Sequence, residues 1–170
     1  TAANVELALK NTVKLEKMIG DLVTFNKVES GIFPFYLQYG NPIEFVSRIL
    51  TMMRHLAEEK DITFSADCQN NGEDVWFSPT YVEHIATNLV LNAIKYTSAG
   101  GHVIVKSDIA TGSDQLDYLR IEVADNGIGI EQGEIDNIFN RFYQTRRGYN
   151  ASGNGWGIGL ALVKKMAEIH

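Results

Sequence analysis

The 170-residue sequence has little cysteine, little proline and no long hydrophobic run. Its single cysteine, Cys68, leaves no partner for an internal disulfide bond and excludes a thiolate zinc site. No apolar stretch approaches the roughly 20 residues of a membrane-spanning helix, and the first residues lack the order of a signal peptide. We therefore expect a soluble, cytoplasmic segment, whether or not a longer protein that contains it is anchored in a membrane.

An excess of positive charge is also absent. Fifteen Lys and Arg residues stand against 21 Asp and Glu, which gives a net charge of −6 at pH 7. This overall negative field does not attract phosphate backbones, so a nucleic-acid-binding function is disfavoured. The hydrophobic content of 45% and the charged content of 21% predict one globular domain with a core, with one extra element, and exclude a disordered tail.

Residues 3–29 predict one long helix, because they contain no proline and one glycine. Steps of three and four residues mark a stripe along one face, formed by Val5, Ala8, Thr12, Leu15, Ile19 and Leu22. Such a helix would be about 40 Å long, more than the rest of the chain would cover. The favoured interpretation is packing against another helix in a dimeric bundle, and the alternative is a helix lying on its own domain.

The remaining residues predict an α+β layer, a mixed sheet with helices on one face. Asn41 and Ser78 each precede a proline and are expected to cap a helix. Strands are predicted at 33–39, 61–68, 74–77, 102–110 and 116–125, and helices at 41–60, 78–97, 131–139 and 157–170. Residues 140–156 show no period and predict a long loop.

Four polar residues share one face of the helix predicted over residues 78–97. Asn88 and Asn92 are four positions apart, and Lys95 and Tyr96 lie one turn further on. Amide oxygens suit a hard cation such as Mg²⁺, and an ammonium group suits phosphate. The alternative is a hydrogen-bonded pair of amides beside a surface lysine.

Two glycine-rich stretches accompany this helix. In "DNGIGI", Asp125 would stand at a strand end beside Gly127 and Gly129, where a ligand can approach the backbone closely. Its carboxylate is able to accept a hydrogen bond from an amino group such as that of adenine, although "DNG" is also typical of an ordinary turn. "SGNGWGIGLAL" leads into a helix N-terminus, which favours phosphate. Neither stretch matches a Walker loop or a dinucleotide fingerprint.

Together and in this order, these segments resemble the ATP-binding domain of sensor histidine kinases, in the GHKL superfamily with gyrase, heat-shock chaperones and mismatch-repair ATPases. "NLVLNAIKYT" resembles the N box, "DNGIGI" the first glycine box, "IFNRFYQ" the F box and "GWGIGLALVKKMAEIH" the second glycine box with its helix. "LEKMIGDLVTFNKVESG" resembles the end of the second dimerisation helix, and "AEEKDI" a further family segment. The resemblance covers nearly the whole chain.

The resemblance implies a Bergerat-type fold preceded by one long helix of a dimerisation bundle. Residues 1–31 would be part of the dimerisation and histidine phosphotransfer region with its linker. Residues 32–170 would be the ATP-binding catalytic domain without its usual last strands. ATP and Mg²⁺ would be the ligands, a second copy of the chain and the receiver domain of a response regulator would be the protein partners, and no nucleic acid is expected.

The resemblance also implies roles for individual residues. Asn92 would hold Mg²⁺, Lys95 would contact phosphate, and Asp125 would bind the adenine amino group. Tyr96 would lie near the base or ribose, and Arg141 near the terminal phosphate. Gly155, Gly157 and Gly159 would close a lid onto the phosphates. The other implied nucleotide-binding residues are Asn88, Gly127, Gly129, Ile130, Phe142 and Leu160.

The sequence also departs from the family pattern. Hydrolytic branches of the superfamily carry a glutamate base at the position of Asn88, and an amide cannot deprotonate water, which favours phosphoryl transfer over hydrolysis. None of the four histidines stands in the context of the family's phospho-acceptor. Trp156 replaces the usual Ser or Thr, and a ring turned into solvent is favoured over one packed on the lid or the nucleotide.

Three functions remain open at this stage. The leading hypothesis is the catalytic part of a sensor histidine kinase that presents Mg·ATP to a histidine outside this segment. The second is a nucleotide-responsive dimeric scaffold with weak or no kinase activity, motivated by Trp156. The third is a hydrolytic GHKL ATPase, which Asn88 disfavours.

Overall fold

The computed structural model describes residues 2–69, 74–148 and 156–170. In chain order the elements are α1 (Ala2–Glu29), β1 (Gln38–Gly40), α2 (Pro42–Glu58), β2 (Thr63–Cys68), β3 (Val75–Phe77), α3 (Pro79–Tyr96), β4 (His102–Thr111), β5 (Asp117–Asp125), a 3₁₀ helix (Gln132–Asn137) and α4 (Gly159–Ile169). The predicted α+β class is confirmed. Among the described helices, none is both long enough and apolar enough for a membrane span.

Within the described residues, the strands form one mixed sheet of three strands and one small sheet of two. In the order β2-β4-β5, β2 and β4 are parallel and β4 and β5 are antiparallel. The chain passes through β3 and α3 between the two parallel strands, since a parallel pair cannot be joined by a tight turn. The small sheet pairs β1 with β3 in antiparallel register.

Helices α2 and α3 cover one face of the mixed sheet, as predicted. Alternate residues of β4 are buried, namely Val103, Val105 and Ser107, while the residues between them face away from the helices. Burying each large apolar side chain in such a layer contributes about 1.5–3 kcal/mol. The helical side of this core includes Val46, Ile49, Leu50, Met53, Val82, Ala86 and Val90.

Helix α1 packs into the core of its own domain through its last turns. Phe25 and Val28 are buried in a second core cluster with Tyr81 of α3 and Leu162 and Met166 of α4. This contact agrees with the alternative interpretation of the sequence, in which the helix lies on its own domain. Further toward the N-terminus, the large apolar side chains are exposed, at Val5, Leu9, Val13, Leu15, Ile19 and Val23. A partner helix on this exposed stripe therefore stays a prediction.

The two predicted helix caps differ in the structure. Asn41 accepts hydrogen bonds from the backbone N–H groups of Ile43 and Glu44, both at 3.0 Å, and thus caps α2. Ser78 occupies the cap position of α3 but makes no capping hydrogen bond with its side chain. Its backbone N–H instead donates to Nε2 of His170 at 2.9 Å, so the prediction of a Ser78 side-chain cap is wrong.

The aromatic segment at 33–39 is a strand only from Gln38 onward. Phe33 and Phe35 pack their rings against Tyr81 instead, with ring centroids 5.8 Å and 5.0 Å apart. These ring contacts with α3 take the place of strand pairing, because the strand preference of aromatic residues depends on having a neighbouring strand to pair with.

Candidate functional site

A cavity of about 840 Å³ lies between α3, the end of β5, the 3₁₀ helix and the start of α4. Ten of the residues singled out from the sequence line it, namely Asn88, Asn92, Lys95, Tyr96, Asp125, Gly129, Ile130, Gly157, Gly159 and Leu160. Gly127, Arg141 and Phe142 are not among the lining residues. Gly155 lies outside the described residues. A cavity of this size is typical of a small-molecule site.

The amide face of α3 forms one wall of the cavity. The Nδ2 group of Asn88 donates to the backbone carbonyl of His84 at 2.8 Å, which leaves its Oδ1 as an acceptor. A Cβ atom on Gly159 would lie only 2.9 Å from this Oδ1, so the start of α4 approaches Asn88 closely. Within the described residues, the half-buried amide of Asn92 makes no protein hydrogen bond.

Lys95 and Tyr96 lie at the C-terminal end of the same wall. The Nζ group of Lys95 donates to the hydroxyl of Tyr96 at 3.0 Å and lies 4.6 Å from the centroid of its ring. The cationic group thus stays at the tyrosine end of the cavity, one to two turns of helix beyond Asn92 and Asn88.

The turn after β5 is tied to the end of α3. The Oδ1 atom of Asp125 accepts from the backbone N–H of Gly127 at 2.9 Å, and the N–H of Ile128 donates to the carbonyl of Tyr96 at 3.2 Å. A Cβ atom on Gly127 would lie 2.4 Å from that carbonyl, so no other residue fits there. Gly127 therefore acts by positioning the exposed Asp125, and Gly129, with φ of +67°, turns the chain along the cavity.

Phe142 and Gly157 are joined at the edge of the cavity. The N–H of Phe142 donates to the carbonyl of Gly157 at 2.9 Å, and both residues have left-handed backbone, with φ of 62° and 68°. A Cβ atom on Gly157 would lie 2.4 Å from the carbonyl oxygen of Tyr143. The next residue back, Trp156, lines the cavity, and 38% of its surface is exposed. The expectation of a ring turned into solvent, and the alternative of a ring packed on the lid or the nucleotide, stay predictions.

Arg141 is engaged by α1. Its guanidinium group forms an ion pair with Glu29 and lies 4.3 Å from the centroid of the Phe25 ring. Both members of the ion pair are about half exposed, so the pair itself contributes little to stability. A contact between Arg141 and a terminal phosphate stays a prediction.

The sequence analysis missed several residues of the cavity wall. The 3₁₀ helix and the following loop contribute Ile135, Ile138, Phe139, Tyr143, Gln144, Thr145 and Gly148, and α1 contributes Val13, Lys17 and Asp21. Glu134 holds the loop, since its Oε1 accepts from the N–H of Arg146 at 3.1 Å and from the hydroxyl of Tyr143 at 3.4 Å. Burial, together with the charge of Glu134, raises the pKa of Tyr143. Because the sequence of this loop has no hydrophobic periodicity, these contacts could not be predicted from it.

The amide oxygens of the cavity suit a hard cation whose remaining coordination positions are filled by a bound phosphate and waters. Among the described residues, no three His, Cys, Asp or Glu side chains cluster as a metal site. The Oδ1 atom of Asn88 lies beside the start of α4, and the amide of Asn92, which makes no hydrogen bond to the described residues, lines the same cavity. Mg²⁺ takes one or two protein oxygens together with waters and phosphate, so these residues fit it.

Comparison with known proteins agrees with this geometry. Residues 77–170, more than half of the chain, match the family described as histidine kinase-, DNA gyrase B-, and HSP90-like ATPase. Histidine kinase P4 of Formosa agariphila is 30% identical over 96% of the chain, and sensor histidine kinase WalK of Bacillus subtilis is 26% identical over 94%. The chain spans 12% and 25% of the lengths of these relatives.

A solved structure shows the same fold. Full-length ShkA in complex with AMPPNP is 22% identical and matches with a TM-score of 0.74 over 94% of the chain and 32% of that protein. The sheet, the helical layer and the N-terminal helix are thus shared with a histidine kinase fold. The chain belongs to the family of histidine kinase-, DNA gyrase B- and HSP90-like ATPases.

Proposed function

We propose that the chain is the ATP-binding catalytic part of a two-component sensor histidine kinase. It would transfer the terminal phosphate of Mg·ATP to a histidine outside residues 1–170. The observation that carries this proposal is the convergence of Asn92, Asp125 and the glycine-rich start of α4 on one cavity. Family membership and the sensor kinases among the relatives support it.

The adenine end of the cavity would be at Asp125. This carboxylate stands at the end of β5, and the turn that follows is held against the carbonyl of Tyr96. Its second oxygen is available to accept from the exocyclic amino group of adenine, a group that guanine lacks at that position. Apolar side chains of Ile128 and Ile130 line the cavity beside it and suit the faces of a base.

The phosphate end would be at Asn88, Asn92 and the start of α4. Asn88 is eight residues before Tyr96, which places it about 12 Å along the helix axis from the adenine end. The backbone N–H groups in the first turn of α4 have no partner within the helix, and its dipole favours anions. Asn92 would ligate Mg²⁺ directly with Asn88 beside it, and the cation would neutralise charge on the phosphates.

Asn88 also bears on the reaction type. Its Nδ2 group is held by the carbonyl of His84, so it presents an amide oxygen that does not titrate as a base. Activation of water for hydrolysis therefore has no general base at this position. This supports transfer to a protein histidine, with residues 1–31 as part of the dimerisation region, residues 32–170 as the catalytic domain, and a receiver domain as the downstream partner.

The experiment that tests nucleotide binding is calorimetric titration of the wild-type chain and Asp125→Asn with Mg·ATP. The wild-type chain should bind, and the variant should lose about tenfold or more in affinity, because an amide oxygen is a weaker acceptor than a carboxylate. Asp67→Asn, an exposed carboxylate on β2 with the same change of charge, is the matched control and should bind normally. Equal affinities of all three proteins would contradict the assignment of Asp125.

A further inference from the structure

Helix α1 reaches the cavity as well as the core. Val13, Lys17 and Asp21 line the same cavity as Asn88 and Asn92. The helix is held there by the burial of Phe25 and Val28, which are 5% and 1% exposed. Its contribution to the cavity wall therefore depends on packing that is independent of any ligand.

The side chains from α1 lie at the end of the cavity that the proposed function assigns to phosphate. Asp21 lies within electrostatic range of His84, which is one helical turn before Asn88 on α3. Phe25, one turn after Asp21, is in the same core cluster as Ile158, the residue before Gly159. Asp125 and Tyr96 are at the opposite end of α3.

Three cationic side chains near the cavity, all in the described part of the chain, contact other protein groups. Lys95 donates to the Tyr96 hydroxyl, and Arg141 pairs with Glu29. Arg147 lies 3.3 Å from Glu131 and bonds the carbonyl of Ile128 on the adenine side. The amides of α3 carry no charge, so a cationic side chain from α1 would add to the charge that Mg²⁺ and Lys95 offer to the phosphates.

We propose that Lys17 of α1 contacts the phosphates of the bound nucleotide, so that α1 completes the binding site. The proposal rests on the proposed function. The Lys17 ammonium is a point charge on a long stem that donates to phosphate oxygens. It stands four residues before Asp21 on the same helix face, and both residues line the cavity. Asp21 is half-buried, whereas Lys17 is exposed, so the lysine stem is free to extend toward a ligand.

The test compares ATP with its nucleoside, adenosine, in matched variants of the full chain. Lys17→Gln should lower the affinity for ATP about tenfold and leave the affinity for adenosine unchanged, because adenosine has no phosphate. Lys17→Arg should retain most of the ATP affinity. Lys27→Gln is the control, since it removes the same charge from the exposed last turn of the same helix, and it should bind both ligands normally.

Each outcome decides the proposal. Unchanged ATP affinity in Lys17→Gln, when Asp125→Asn has lost binding, would overturn the role of Lys17 and leave the proposed function standing. A parallel loss of ATP and adenosine affinity would show that Lys17 acts through the fold, which also overturns it. If the wild-type chain binds neither ligand, the proposed function fails and the proposal with it.

Discussion

Asn92 offers the sharpest test at the scale of single residues, because its half-buried amide lines the cavity. Asn92→Ala removes the proposed direct ligand of Mg²⁺, so the affinity for ATP should become the same with and without the cation. Calorimetric titrations in Mg²⁺ and in a chelator measure this. The exposed amide of Asn140 lies outside the cavity, so Asn140→Ala should keep the dependence on Mg²⁺. A normal response of Asn92→Ala to Mg²⁺ would count against the assignment.

His170 predicts a dependence of stability on pH. Burial lowers its pKa below the usual 6.5, and its Nε2 accepts from the backbone N–H of Ser78, which requires the neutral ring. The unfolded chain therefore binds more protons in this range. The stabilisation is complete above about pH 6.5 and is lost as the pH falls toward the folded-state pKa.

The variant His170→Gln keeps an acceptor oxygen but does not titrate. Its free energy of unfolding should fall less than that of the wild-type chain between pH 7.5 and pH 5.5, as measured by urea denaturation. His102→Gln replaces an exposed histidine of β4 and should behave like the wild-type chain. Identical pH profiles for His170→Gln and the wild-type chain would show that the bond to Ser78 is not coupled to protonation.

At the scale of elements, the docking of α1 depends on a few buried side chains in its last turns. Phe25→Ala should lower the free energy of unfolding by about 3 kcal/mol, because it opens a cavity between α1, α3 and α4. Val23→Ala, on the same helix but 44% exposed, should change it by less than about 0.5 kcal/mol. Urea unfolding of both variants measures the difference, and equal effects would mean that α1 is not docked as described.

The same helix shows why element-scale prediction was incomplete. The stripe from Val5 to Leu22 identified α1 as amphipathic, but the pattern does not state what covers it. Only the packing of Phe25 and Val28 against α4 shows that the last turns serve the domain itself. The pattern assigned no role to Lys17 and Asp21, and their place in the cavity wall follows from that docking.

At the scale of the whole molecule, the proposed function predicts a kinase part that does not label itself. The chain should bind Mg·ATP, yet it should acquire no acid-labile phosphate, because none of its histidines stands in the context of an acceptor. Incubation with γ-labelled ATP, followed by acid and base treatment, measures this. A longer chain that adds the acceptor helix should become labelled. Acid-labile label on residues 1–170 alone would identify one of the four histidines as an acceptor.

The order of elements and much of the cavity wall could be predicted from the sequence. The helices and the main strands were identified from local properties of the sequence. These are the spacing of hydrophobic residues, the cap at Asn41 and the turn residues. The motifs at Asn92, Asp125 and Gly159 were informative because short polar and glycine-rich segments are rare inside apolar elements. All three line one cavity in the structure.

The tertiary structure alone decided what depends on contacts between distant segments. The bond from Ser78 to His170 joins residues 92 positions apart, and the pairing of Arg141 with Glu29 spans 112. No local pattern encodes which of two distant side chains meet, since many partners satisfy the same polarity and period. The sequence by itself determined the family and most of the element order, and it singled out many of the residues that line the cavity. Packing decided which of those residues face the cavity and that α1 supplies part of its wall.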